Sequence, residues 1–99
     1  MIDNGVKLYG EADAYEHACG VFLSQLKPVH KDDIAVVRRV YFSAIEAMYQ
    51  RFYSTVQAYA GKPQYDQKRL SYTISALRRI KNNFRKAVTL VLSAHVWKG

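Results

Sequence analysis

Acid is what this sequence runs short of, and after Asp66 there is none at all. Fifteen Lys and Arg stand against eight Asp and Glu, for a formal charge of +7. Cysteine occurs once, at Cys19, so no disulfide can close within the chain. A reducing, cytoplasmic setting is the simplest expectation from that usage. Two prolines and five glycines are too few to punctuate an all-β chain with many turns. The first residues, MIDNGVKLYG, carry neither the basic cluster nor the apolar run of a secretory signal. The longest apolar-rich run, residues 87–97, is interrupted by Thr89, Ser93 and His95. It falls well short of the roughly 20 residues that span a bilayer.

What the chain does have is apolar residue in quantity, 49% of 99 residues, enough for one packed domain. These residues recur with a helical period. Tyr15, Ala18, Cys19, Phe22, Leu23 and Leu26 share one face, which predicts a helix over about 11–26 after a loosely ordered arm at 1–10. Gly20 within it marks either a close contact or a weak point, since glycine costs up to about 1 kcal/mol against alanine. Pro28 ends this segment, and Asp32 or Asp33 offers an N-cap for the next. Ile34, Val37, Tyr41, Ile45, Met48, Phe52, Val56 and Tyr59 predict a second helix over about 33–60, flanked on one side by Phe42, Tyr49 and Tyr53. Gly61 and Pro63 read as its stop, and Asp66 as the cap of a third helix.

That third helix, about 66–97, carries the stripe Leu70, Ile74, Leu77, Phe84, Val88, Val91 and His95. The β-formers Ser71-Tyr72-Thr73-Ile74 read as a strand in isolation, but the helical stripe runs through them. The expected fold class is therefore all-α. A long antiparallel hairpin of helices two and three, each roughly 40–48 Å, is accompanied by a first helix of roughly 24 Å. So short a helix leaves apolar surface uncovered near the end of the third. A second copy packing on Val88, Val91, Leu92, Val96 and Trp97 is the expected remedy, giving a homodimer.

Charge is distributed as unevenly as hydrophobicity is regular. Residues 1–30 sum to −2, residues 31–66 to +1 and residues 67–99 to +8. On the third helix Lys68, Arg69, Arg78, Arg79, Lys81, Arg85 and Lys86 form a basic band, with Asn82 and Tyr72 beside it. A solubilising face ordinarily mixes signs, and this one does not. The band is the expected partner-binding site, for an acidic protein surface or, alternatively, for phosphates contacted without regard to sequence. Arg38-Arg39 and Arg78-Arg79 sit inside long periodic runs, so a helix-turn-helix reader is not expected.

Catalytic and metal-binding signatures are missing. His17 and Cys19, two apart, diverge on a helix, and no His or Cys pair has chelating spacing. There is no phosphate loop, nucleophile elbow or paired-carboxylate motif. No cofactor, metal or catalytic residue is expected. The function expected from sequence is a non-enzymatic adaptor or inhibitor, of the kind found among bacterial and phage accessory proteins.

Overall fold

The computed structural model describes residues 4–59, 62, 67–94 and 96–97. Three helices dominate: α1 (Asn4–Ser24), α2 (Ile34–Gln57) and α3 (Gln67–Ala94). Two short extended segments, β1 (Val29–His30) and β2 (Val96–Trp97), complete the order α1-β1-α2-α3-β2, with a 3-10 turn at Lys31–Asp33 between β1 and α2. The three helices pack side by side into a rod of 57 × 19 × 15 Å. No helix of the described residues is long and apolar enough to cross a membrane.

The helical stripes become the core. Tyr15 and Cys19 from α1, Ile45 and Val56 from α2, and Leu77 and Val88 from α3 are all essentially inaccessible. Tyr49, at the flank of the α2 stripe, joins them, as do Leu70, Ile80 and Leu92. Thr73 is fully buried too. Its hydroxyl donates to the Arg69 carbonyl at 2.9 Å, so a β-branched polar residue sits mid-helix with no unsatisfied group. Thr89 and Ser93 bond back four residues in the same way.

Among the described residues Tyr15 is the largest wholly buried side chain. Its hydroxyl donates to the Ile45 carbonyl at 3.1 Å, and its ring meets those of Phe52 and Tyr49 at centroid distances of 5.5 and 6.2 Å. Burial holds the phenol far above its ordinary ionisation range, with the neighbouring Cys19 adding to the effect, so the group stays a donor.

The ends of the helices differ from expectation. The first helix begins at Asn4 and not near residue 11, so the predicted arm is helical from that point. Glycine weakens a helix by up to about 1 kcal/mol without breaking it, and no proline follows Gly5 or Gly10. At 21 residues α1 extends about 31 Å and covers more of the hairpin than a 24 Å helix can. At its other end, Gln25 and Leu26 donate to Phe22 and Leu23, a tightened last turn before Pro28. Asp33 precedes α2 but makes no side-chain capping bond. Instead the His30 Nδ1 accepts from the Asp32 amide at 3.2 Å and closes the 3-10 turn. The expected stop at Gly61 and Pro63 and the cap at Asp66 lie outside the described residues, as do the stripe residue His95 and the side chains of Val96 and Trp97.

The third helix stops at Ala94, short of Trp97. Val96 and Trp97 instead pair in parallel with Val29 and His30. This pairing ties the exit of α1 to the exit of α3, so those two helices run parallel and α2 runs antiparallel to both. Val88 and Leu92 lie inside the core of the single chain, and Val91 is half-buried. Of the surface expected to receive a second copy, Val88 and Leu92 are thus covered by the chain's own helices. Among the described side chains of this stretch, Leu90 is the one large apolar residue that is strongly exposed, at 69%.

Two outcomes follow from this packing. A Cβ built at Gly20 meets nothing within 4 Å, so the glycine serves no close contact. Gly20→Ala is expected to raise the unfolding free energy by about 0.5–1 kcal/mol, read as a higher midpoint in thermal or urea unfolding. Cys19, 1% exposed, has its thiol pushed up to about 11 by burial. It is expected to react with a thiol reagent in denaturant and to resist it in the native state.

Candidate functional site

The basic band lies on α3 at the expected positions, but its side chains do not form one surface. Rotation about the helix divides it among three environments. Lys81 and Arg85 turn toward α2. Lys81 Nζ lies 3.2 Å from the Glu46 carboxylate and 4.0 Å from the centre of the Tyr49 ring, with its side chain only 16% exposed. Arg85 stacks over Phe42, its guanidinium carbon 4.9 Å from the ring centre. These two contacts share one register, since Glu46 and Phe42 are one turn apart on α2 and Lys81 and Arg85 one turn apart on α3.

Arg78, Asn82 and Lys86 face outward and are exposed, with Ser75 between them and the helix start. Successive members are one turn apart, so their donors form a ridge along the helix. Lys68 and Arg69 are exposed at its N-terminal end. Tyr72 and Arg79 point to the other side, where with Ala76 and Asn83 they border a groove shared with Asp13 and Glu16 of α1. No ion pair closes across that groove. Among the described residues Lys81–Glu46 is the only ion pair that joins two helices.

Between α2 and α3, on the side that α1 leaves bare, runs an open seam. Phe42 and Arg85 form its middle. Ser43 and Ala47 stand on the α2 wall, and Asn82, Lys86, Thr89 and Leu90 on the α3 wall. The seam is therefore apolar at its floor and at Leu90, and cationic along one edge. Its single acid, Glu46, is already engaged. Gln50 donates to one carboxylate oxygen at 3.1 Å and Lys81 approaches the other. The Gln50 hydrogen bond first, and then Lys81 and Arg85, hold this carboxyl below its ordinary range.

Several of these residues escape a sequence reading. Glu46 and Leu90 gave no pattern of their own, and Ala47 and Thr89 are unremarkable in composition. The one available signal was that Glu46 is the sole acid of α2, in a hairpin whose partner helix has none. Among the described residues, no group of three or more His, Cys, Asp or Glu comes together to hold a metal. The fold and site thus define a small all-α bundle with an open, cation-edged seam. No family model, curated protein or solved structure matches the chain.

The lowered Glu46 carboxyl sets a pH dependence. A depressed folded-state pKa stabilises above the unfolded value and is lost as acid carries the pH down through the folded value. Because the pair is partly solvated, the effect is small, about 0.2–1 kcal/mol. Glu46→Gln should therefore unfold slightly more easily than the parent at neutral pH. The difference should vanish once the carboxylates are protonated, and paired urea titrations at the two conditions measure it.

Proposed function

We propose that this chain is a non-enzymatic binding protein, of adaptor or inhibitor type, that engages an acidic protein surface through the outward basic face of α3. The observation that carries the reading is the ridge of Arg78, Asn82 and Lys86, exposed and without any acid on its own helix. A face meant only for solubility has no reason to exclude acids. Its neighbours favour protein over phosphate. Leu90, 69% exposed, stands one turn beyond Lys86, and Tyr72, 57% exposed, lies beside Arg79 on the α1 side of the same helix. Exposed aromatic and aliphatic anchors beside arginine are typical of protein hot spots.

Nucleic acid is the second reading. It is supported by the turn-by-turn spacing of the same cations, which suits a run of phosphates. The proposal stops at one chain, because Val88 and Leu92 are occupied within the core and give a second copy little to cover.

Titration against polyglutamate and against duplex DNA, each at low and near-physiological salt, separates the readings. The triple variant Arg78→Gln, Arg79→Gln, Lys86→Gln should keep the parent's thermal midpoint and bind polyglutamate about tenfold or more weakly. Undiminished binding by that variant would remove the site. Preference for DNA with a steep log-linear fall in salt would transfer the site to nucleic acid.

A further inference from the structure

The ridge explains attraction to acid but not what distinguishes one acidic partner from another. The seam beside it supplies that. From Lys81 to Leu90 its α3 wall spans ten residues, a rise of about 14 Å or two and a half helical turns. Phe42 is half-buried at its floor, Ala47 is exposed on the opposite wall, and Leu90 stands out at one end. Two antiparallel helices with a third on one side present on the other the concave side of a bundle that lacks its fourth member.

We infer that this seam receives an amphipathic helix of the partner protein, apolar residues down on Phe42 and Leu90 and an acidic edge along Arg85 and Lys86. The inference rests on the proposed binding of an acidic protein surface and specifies its form.

Charge complementarity selects the occupant. The only charged groups on the α3 wall are cations, and the only acid in the seam is paired with Lys81 and hydrogen-bonded by Gln50. A basic or neutral helix would bury Arg85 and Lys86 against nothing of opposite sign, which is unfavourable. An acidic helix pairs with them, and its apolar stripe at i, i+3, i+4 spacing matches a groove of this kind. The chain's own acidic surface does not fit the role. Asp13 and Glu16 lie on α1, on the far side of the bundle from the seam. Docking one copy's α1 into the next copy's seam would use a helix already packed against α2 and α3 of its own chain.

Synthetic peptides test this directly. One is a Glu/Leu peptide of about 18 residues with leucine at i, i+3, i+4 spacing; the other has the same residues reordered to spread leucine around the helix. Binding is followed by fluorescence anisotropy against the full chain at about 0.15 M salt. The amphipathic peptide should bind at least about tenfold more tightly than its reordered isomer and become helical on binding. Leu90→Glu and Ala47→Glu, both at exposed helical positions, should each weaken it about tenfold, while Val21→Glu, exposed on α1 away from the seam, should not. Arg85→Gln should reduce the preference for the acidic peptide over a Lys/Leu counterpart. Equal binding of the two isomers, or equal effects of Val21→Glu and Leu90→Glu, would sink the seam while leaving the basic ridge standing. Binding of neither peptide, together with an unaffected triple variant, would remove both.

Discussion

Tyr15 is the contact on which the arrangement depends. It carries the first helix into the hairpin between Tyr49 and Phe52, and its hydroxyl finds the Ile45 carbonyl. A buried phenol without that acceptor would be costly, on the order of 1–3 kcal/mol, so the position of α1 is specified by a polar bond as well as by packing. Fixing α1 there has a second effect. One side of the α2–α3 pair is covered, and the other is left open.

The open side is where the chemistry collects. Seven of the bases lie on α3, a helix with no acid, and α2 offers it a single carboxylate. Glu46 takes Lys81 and thereby withdraws it from the surface. Arg85 is half withdrawn, stacked on Phe42 but still at the seam. Arg78, Asn82 and Lys86 remain facing solvent. A band that looks continuous along the sequence is thus graded across the helix, from structural at one edge to available at the other. The parallel β1–β2 pairing matters for the same region, because it anchors the exit of α3 just beyond Leu90.

Much of this was legible beforehand, for a definite reason. The stripes Tyr15–Cys19, Ile45–Val56 and Leu70–Leu77–Val88 repeat at the helical period, and burial follows that period with little dependence on the partner. The start of α1 was not legible, because Gly5 and Gly10 lower local propensity without deciding against a helix. The β1–β2 pairing was invisible because Val29-His30 and Val96-Trp97 are each two residues long and far apart in sequence, so no local pattern marks them. The expectation of a second copy rested on the length of the first helix alone, and length does not show which α3 residues, such as Val88 and Leu92, the packing covers.

By itself, then, the sequence determined three amphipathic helices, a hairpin, and a last third carrying all the excess charge. These are properties of period and composition, which are local. Only the tertiary structure decided which side of the hairpin α1 covers, that Lys81 turns in while Lys86 turns out, and that Phe42 and Leu90 share a seam. Those depend on the rotation of each helix against its neighbours. A rotation of one residue, about 100°, exchanges a core position for a surface one without changing the pattern from which the helix was read.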